Sequence, residues 1–283
     1  MLQTIQKIGP VLDLFTTQRP DWGVTEVAEA IGVPRSSAHA LLASLVETGL
    51  LQCRGRGRYR LGWRIVELNE TLRGTVDVRS VAAPVLQRLV ELYGETVHLA
   101  VLRHTKVLYL DKVPGNRQLT VAGARVGALL DPHCSAVGKV LLAHRSTDEL
   151  RCLLAGSPLR RLTAATITGA TELTDELTRV RAAGMAFDEG EAIPDVSCVA
   201  APVRDDLGAV VASISMTVPT SRFTACRNEY RRAVKAAGQE ISQQLAGTGA
   251  PRLTVLRDSP GEDPGQLPGS GAADASLRAV STA

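Results

Sequence analysis

Five arginines fall within one short stretch of the chain: Arg54, Arg56, Arg58, Arg60 and Arg64. No aspartate or glutamate occurs between residues 50 and 64, although the formal net charge of the whole chain is only +3. Guanidinium groups bind phosphate oxygens strongly, so this stretch indicates a local surface for a phosphate-bearing partner. A solvated run of charge without a partner is the alternative.

A second group of polar side chains lies upstream, in residues 34–46, PRSSAHALLASLV. Its members are short hydrogen-bonding residues and one cation: Arg35, Ser36, Ser37, His39 and Ser44. Apolar residues alternate with them at helical spacing: Ala38, Leu41, Leu42, Leu45 and Val46. A helix with this pattern buries one side and presents hydrogen-bonding groups on the other. Such groups suit the edges of base pairs in a DNA major groove.

Residues 24–61 contain the elements that would position both groups. Ala28, Gly32 and Ala38 have helix-turn-helix spacing, with a glycine that can take a positive φ in the turn. Residues 50–53 and 58–61 are predicted strands around a glycine-containing turn. An ordinary pair of amphipathic helices shows the same helical spacing. The adjoining arginine-rich hairpin favours a winged helix-turn-helix that binds DNA.

Composition limits the class of protein. The chain has 283 residues, about two domains by length, and only 3% are aromatic, so aliphatic side chains must build the core. Its five cysteines include no CxxC pair, so neither a disulfide framework nor a zinc ribbon is indicated. No apolar run approaches the roughly 20 residues of a membrane span, and no secretory signal is visible. A cytoplasmic protein without membrane association is expected.

Beyond the hairpin, hydrophobic periodicity predicts a linker helix and a second domain. Helices are predicted at residues 63–71, 78–93, 135–143, 148–154, 172–183 and 228–245, and strands at 96–102, 107–113, 119–122, 185–187, 196–203 and 209–217. Because strands and helices do not alternate regularly, the predicted fold class is α+β with an antiparallel sheet. The predicted limits are 1–62 for the DNA-binding domain, 63–76 for the linker helix, 77–247 for the second domain and 248–283 for a disordered tail.

Several motifs in order resemble the IclR-type bacterial transcriptional regulators. The resemblance spans residues 1–246 and rests on VPRSSAHALLASL, GRYRLG, ETVHLAVL, YLDKV, RVGALLDPHCSAVGKVLLA and CVAAPVRDDLG. It implies a winged helix-turn-helix and a C-terminal GAF-like α/β domain that binds an effector and oligomerises. It also implies a homodimer or tetramer on palindromic operator DNA, usually repressing a catabolic operon and released by a small, often acidic metabolite.

The resemblance and the residue pattern together identify candidate sites. The predicted DNA-binding residues are Arg35, Ser36, Ser37, His39, Ser44, Arg54, Arg56 and Arg58. The family's effector pocket corresponds to Leu119, Ala122, Leu130, Ala136, Val137, Asp188, Cys198, Ser215 and Thr217.

Part of the pocket also has support from the residues themselves. Ser215 and Thr217 alternate along one predicted strand, so both hydroxyls lie on one face, either in a pocket or towards solvent. The helix start near Ser135 offers free N–H groups to a carboxylate. Asp188 either accepts from a ligand hydroxyl or is a solvated acid, and Cys198 is typical of a core thiol.

The chain departs from the family pattern in places. Ala40 follows His39 where many members have a long polar residue, which removes one expected DNA contact. Gly9 and Pro10 interrupt the first helix, which is therefore predicted to begin near Pro10 or to kink there. The acid-bearing DPHC segment before Ser135 predicts a more polar pocket entrance.

The residue types alone leave other classes of function open. A thiol enzyme could use Cys134 with His133, or Cys198 with Asp188, but none of the common catalytic motifs is present. The same two cysteines could act as a redox sensor. Four residues could in principle hold a metal: His98, His133, Cys134 and Asp188. The prediction is a regulator and not an enzyme, with no cofactor and no metal.

Overall fold

The computed structural model of the chain describes residues 3–55, 57–74, 78–117, 120–121, 124–155, 158–247 and 279–280. Contacts divide the chain between residues 75 and 76 into two units. Within the described ranges, no helix combines the length and the apolar character that a membrane crossing requires.

The N-terminal unit is a small helical domain with one short sheet. Its helices are α1 (Gln3–Gln6), α2 (Ile8–Asp13), α3 (Val24–Ala30), α4 (Arg35–Glu47) and α5 (Arg64–Gly74). Its strands are β1 (Trp22–Gly23), β2 (Leu51–Cys53) and β3 (Arg58–Leu61), paired antiparallel in the order β1-β3-β2. The predicted hairpin is confirmed, whereas the two-residue strand β1 was not predicted.

The turn between α3 and α4 follows the helix-turn-helix pattern. Gly32 has φ +65, the left-handed region where a side chain is strained. Pro34 is the N-cap of α4, which begins at Arg35. Earlier in the unit, α1 ends before Lys7 and α2 starts at Ile8, so Pro10 lies in a first turn, where its missing N–H costs no hydrogen bond. The predicted interruption of the first helix is confirmed.

The second unit is an antiparallel sheet with helices on both faces. Its helices are α6 (Val78–Tyr93), α7 (Ala136–Ala143), α8 (Thr147–Ala155), α9 (Ala170–Ala183) and α10 (Thr220–Gly247). Its strands are β4 (Thr96–Arg103), β5 (Lys106–Val113), β6 (Thr120–Val121), β7 (Leu129–Leu130), β8 (Ala186–Glu189), β9 (Val196–Arg204), β10 (Val210–Pro219) and β11 (Ala279–Val280). Within the described chain, six of these strands form one sheet, in the order β7-β5-β4-β10-β9-β8. The predicted α+β class is confirmed.

Alternation along the strands gives the sheet two different faces. Leu99, Ile214 and Met216 pack with α6 and α10 in one apolar core. Ala100 and Ala200, from positions of opposite parity, pack in a second core with α7, all of whose residues are buried. The second face also carries the polar residues of β4 and β10, so this is where a ligand site can form.

Two elements near the C-terminus differ from or extend the prediction. Helix α10 begins at Thr220, earlier than the predicted start at 228, and has a non-helical residue at Cys226. The predicted disordered tail lies almost entirely outside the described residues. Ala279–Val280 are described, and they pair antiparallel with Thr120–Val121. The disorder of the tail therefore stays a prediction.

Candidate DNA-binding surface and effector site

The predicted base-contacting face is exposed at the start of α4. Ala38, Leu41, Leu42 and Leu45 are buried against Val27, Leu51 and other residues of the N-terminal core. The polar residues of the opposite side are all exposed: Arg35, Ser36, Ser37, His39 and Ser44. The helix therefore presents its polar face to solvent from its first turn, and the contact with DNA is a proposal that rests on this exposure.

The wing turn is shaped by its glycines. Gly55 and Gly57 have φ +62 and +69, and the Arg54 N–H donates to the Arg58 carbonyl at 2.8 Å. Arg54 is exposed at the tip of this hairpin. Arg56, also predicted to bind DNA, lies outside the described residues.

Two of the wing arginines are paired with acids. Arg58 Nη1 donates to Glu26 Oε2 at 2.6 Å, and Arg60 Nε donates to Asp21 Oδ1 at 3.1 Å. The amide of Gly23 is the main group that lowers the pKa of Glu26, with Arg58 and Arg19 adding to the effect. The arginine stretch contains no acid of its own, but the fold brings acids to it from more than thirty residues away. The free positive charge of the wing is smaller than the sequence suggests.

The candidate effector residues of the second unit form two rows across the sheet. In one row, Asp188 of β8 lies opposite Cys198 of β9, which lies opposite Thr217 of β10. In the next, Ser215 of β10 lies between Ala200 of β9 and His98 of β4. Directly opposed residues have Cβ atoms about 4.5–5.5 Å apart, so these side chains form one patch.

The patch is buried and not solvated. Asp188, Ser215 and Thr217 are 2%, 3% and 4% exposed, so neither the solvated acid nor the solvent-facing hydroxyls of the alternative interpretation are present. Thr217 Oγ1 lies 3.3 Å from Cys198 Sγ and 3.4 Å from His98 Nδ1. The Thr217 hydroxyl therefore has two weak polar contacts on this face.

Asp188 is an acid held inside the protein. Its Oδ1 accepts from the amides of Glu191 at 2.7 Å and Ala192 at 3.4 Å. Burial raises its pKa to about 7, despite the opposing effect of these amides and of Lys139. Near neutral pH the carboxyl group can therefore be either charged or protonated.

The start of α7 belongs to the same region. Ser135 Oγ accepts from the Gly138 amide at 3.2 Å, and the Ser135 carbonyl accepts from the Lys139 amide at 2.9 Å. The amides of Ala136 and Val137, both 1% exposed, have no acceptor within the helix. They lie at the positive end of the helix dipole, as a carboxylate ligand requires.

The start of α7 and the Asp188 row both lie near Tyr109 of β5. Burial raises the pKa of Tyr109 on β5, and the nearby Cys198, Asp188 and Cys134 add to the shift. Cys134 precedes Ser135, and Asp188 contributes to the raised pKa of the Cys134 thiol, so the start of α7 lies near the Asp188 row. Leu130 on β7 is partly buried and packs in the same core. Leu119 and Ala122 lie outside the described residues.

Sequence reasoning did not assign His98 and Tyr109 to the pocket. His98 is 1% exposed, and its ring centroid lies 5.0 Å from that of Tyr109. Burial and then Lys112 lower its pKa to about 3, against a smaller effect of the Ala124 carbonyl, so the ring is neutral. One signal in the sequence could have revealed His98: it alternates with the apolar residues Val97 and Leu99 along β4, so its side chain lies on the other face of the sheet.

The competing chemistries receive no support from this geometry. Among the described residues, no cluster of three or more histidine, cysteine or acidic side chains is arranged to hold a metal. His133 Nε2 instead lies 2.9 Å from the Arg160 carbonyl. Burial raises the pKa of the Cys134 thiol to about 12 and also raises that of Cys198, which disfavours the thiolate that redox or nucleophilic chemistry needs.

In comparisons with known proteins, each of the two units matches a family model. Residues 4–55 match the family described as the IclR helix-turn-helix domain, and residues 71–243 match the bacterial transcriptional regulator IclR C-terminal family. The chain belongs to the IclR family. Like its relatives, this IclR-family protein is a ligand-responsive transcriptional regulator and not an enzyme.

Individual relatives cover most of this IclR-family chain. It is 32% identical over 247 residues to the HTH-type transcriptional regulator XynR of Escherichia coli K12, covering 87% of this chain and 98% of XynR. It is 30% identical over 251 residues to the acetate operon repressor of Salmonella typhimurium, covering 87% and 91%. The crystal structure of an IclR homologue from Microbacterium hydrocarbonoxydans, complexed with 4-hydroxybenzoate, matches with TM-score 0.77 at 28% identity, covering 87% and 100%.

Proposed function

We propose that this regulator represses a catabolic operon and leaves its operator when a small acidic metabolite binds between the start of α7 and the Asp188 row. The observation that carries the proposal is the burial of hydroxyls and helix N–H groups on one face of the second unit. Such donors, removed from water, bind a carboxylate more tightly than they would at a surface.

Asp188 is compatible with an acidic ligand. A carboxyl group with a pKa near 7 can keep its proton beside a ligand carboxylate and donate a hydrogen bond to it, as neutral buried acids do in other sites. The Microbacterium homologue, described as complexed with 4-hydroxybenzoate, supports the class of ligand. The identity of the acid for this chain is open to experiment.

On the DNA side, the proposal assigns different roles to helix and wing. The exposed residues of α4 contact bases in the major groove: Arg35, Ser36, Ser37, His39 and Ser44. Arg54 and Arg56 contact phosphate. The Arg58 guanidinium is engaged by Glu26 and the Asp21 carbonyl, so its first role is to position the wing, and a contact with phosphate uses its remaining N–H groups.

The proposal includes the assembly and its place in the cell. A palindromic operator requires two copies of the recognition helix related by a two-fold axis, so the working form is a homodimer or a tetramer of two dimers. Because bacterial DNA lies in the cytoplasm, we expect the protein there.

The decisive experiment measures both ligands on the same protein. Small carboxylic acids, beginning with 4-hydroxybenzoate, are screened for thermal stabilisation, and operator duplexes are selected from random DNA by binding. The best acid is then titrated calorimetrically with and without operator. The acid should weaken operator binding, and operator should weaken acid binding by the same factor. Equal acid affinity with and without operator, or turnover of the acid, would contradict the proposal.

The base-reading assignment has its own test. Ser37→Ala and His39→Ala should each reduce the preference for operator over random duplex by about tenfold and leave the salt dependence unchanged, because they remove base contacts and not phosphate contacts. Thr178→Ala, an exposed position on α9, is the matched control. A reduced salt dependence with intact preference would reverse the assignment.

A further inference from the structure

Lys139 is a charged residue in the middle of a buried helix. It lies in α7, is 1% exposed, and the other residues of that helix are alanine, glycine, valine and leucine. Its Nζ lies 2.5 Å from Glu191 Oε1 and 3.7 Å from Glu176 Oε1. Removing a lysine from water is costly, and apolar residues of similar volume are often at least as stable as a buried ion pair. The stability of the fold therefore does not explain why α7 contains a lysine here.

Glu191 joins Lys139 to the candidate effector residue Asp188. Its side chain binds the Lys139 ammonium group, while its own amide donates to Asp188 Oδ1 at 2.7 Å. The carbonyl of Glu191 accepts from Thr166 Oγ1 at 2.7 Å, so Glu191 is held at three points. Lys139 thus reaches Asp188 through one intervening residue.

The backbone of Lys139 belongs to the start of α7. Its amide donates at 2.9 Å to the carbonyl of Ser135, the N-cap residue. The amides of Ala136 and Val137, which are proposed to receive the carboxylate of the effector, lie in the same turn. Lys139 is therefore part of one side of the proposed site and is bonded through Glu191 to the other side.

The charges of the same pair act on Asp188. Burial is the main cause of the raised pKa of Asp188, the charge of Glu191 adds to it, and Lys139 opposes it. Three other titratable groups near Asp188 stay neutral around pH 7 because burial raises their pKa: Cys134, Cys198 and Tyr109. The His98 ring in the next row is neutral as well. A change in the Lys139–Glu191 pair should therefore alter the titration of Asp188.

We propose that Lys139 is a positioning residue of the effector site: through Glu191 it holds Asp188 at the distance from the start of α7 at which both bind one small carboxylate. The inference rests on the proposed function, because it concerns the same site. It adds a residue that does not touch the ligand but sets the affinity for it. Since Glu191 raises the pKa of Asp188 more than Lys139 lowers it, the pair also helps Asp188 to keep the proton that it donates to the ligand.

Glu191→Gln tests the link without any ligand. It keeps an acceptor for Lys139 but removes the negative charge near Asp188, so the Lys139 charge that remains should lower the pKa of Asp188. In urea denaturation of the full-length protein, the pH above which the Asp188 contribution to stability is lost should fall by about one unit. Glu176→Gln is the matched control. Glu176 also lies near Lys139 but, within the described ranges, makes no hydrogen bond to Asp188 or Glu191, so this pH should not change.

The effect on the ligand is measured by calorimetry with the acid of the proposed screen that binds the wild type most tightly, 4-hydroxybenzoate being the first tested. At pH 7, Glu191→Gln should weaken acid binding about tenfold, whereas Glu176→Gln should bind like the wild type. Lys139→Met/Glu191→Leu replaces the ion pair by apolar residues and is expected to keep the stability of the wild type. It should also bind the acid about tenfold more weakly, which separates positioning from stability.

The outcomes distinguish this proposal from the proposed function. Wild-type acid affinity in both variants of Glu191, an equal loss in Glu176→Gln, or an unshifted pH in Glu191→Gln would overturn the role of Lys139 and leave the effector site in place. If the wild type binds none of the screened acids, the proposed function fails, whereas the pH shift in Glu191→Gln would still support the link from Lys139 to Asp188.

Discussion

Arg58 on the wing is bound to Glu26 in α3, with Nη1 2.6 Å from Oε2. The same guanidinium donates through Nη2 to the Asp21 carbonyl at 2.8 Å. Glu26 also accepts from Arg19 at 2.6 Å and from the Gly23 amide at 2.7 Å. One carboxylate thus joins the segment before β1, the helix-turn-helix and the wing, and this link sets the wing in position in addition to the pairing of β1 with β3.

This link separates two arginines that look equivalent in the sequence. Arg58→Ala should lower the melting temperature of the protein slightly, because it releases the wing from Glu26, and its effect on DNA binding should follow from that release. Arg54→Ala should leave the melting temperature unchanged and make the salt dependence of DNA binding shallower by about one unit. Thermal denaturation and fluorescence anisotropy over a range of KCl concentrations measure both effects. Identical behaviour of the two variants would show that the Glu26 link does not position the wing.

The hydroxyls of β10 should control effector binding. Ser215→Ala/Thr217→Val is expected to weaken the response to the acid by about tenfold or more, since each lost hydrogen bond costs about 0.5–3 kcal/mol. Ligand-free operator affinity should not change, because the DNA-binding unit is untouched. Ser213→Ala is the matched control, since the Ser213 hydroxyl already donates to the Ala201 carbonyl at 3.1 Å. A normal response in the double variant would remove β10 from the effector site.

Asp188 should make stability depend on pH. Its folded-state pKa of about 7 exceeds the ordinary value of 3.8, so between these values the folded protein binds more protons than the unfolded chain. Its contribution to the free energy of unfolding is therefore largest at low pH and is lost as pH rises from about 4 to 7, by at most about 4 kcal/mol. Asp188→Asn should remove this slope in urea denaturation.

The comparison for this slope is Asp148→Asn, which changes an acid whose side chain is 86% exposed. From pH 4 to 8, the difference in free energy of unfolding between wild type and Asp148→Asn should stay flat. The difference between wild type and Asp188→Asn should change up to about pH 7 and then level off. Parallel profiles for all three proteins would mean that Asp188 titrates as an ordinary acid.

The predicted tail can be removed as a test of its disorder. A chain ending at Gly247 should keep the melting temperature and oligomeric mass of the full protein, because the removed residues have too little apolar content to form a core. Scanning calorimetry and light scattering measure the two quantities. A lower melting temperature would show that the pairing of Ala279–Val280 with Thr120–Val121 contributes to stability.

Elements with a long periodic pattern were predictable, and those without one were not. Helix α6 spans Val78–Tyr93 as predicted, because sixteen residues show a clear apolar stripe. Strands β1 and β7 have two residues each, too few for any alternation to appear. In the early part of α10, Arg222 donates to the buried Glu95 of another segment at 2.8 and 3.1 Å. A pattern among neighbouring residues cannot reveal a hydrogen-bond partner that lies this far away in the chain.

The same limit applies to the candidate site. The strand parity that placed Ser215 and Thr217 on one face also applied to His98, but only the sheet order β4-β10 brings His98 opposite Ser215. Lys139 lies in an otherwise apolar helix and is 1% exposed. Its partner Glu191 lies far along the chain, so this buried ion pair could not be predicted from residue types and spacing.

Because β4 pairs with β10, the strands of the two units are completed at different times during synthesis. The hairpin of the N-terminal unit is complete once Leu61 is made, since its strands are neighbours in the chain. The centre of the second sheet requires β10, which ends at Pro219, about 150 residues later. At ~5–20 residues per second, this delay is on the order of ten seconds. In each new molecule, the DNA-binding unit is therefore able to fold before the sheet of the effector-binding unit is complete.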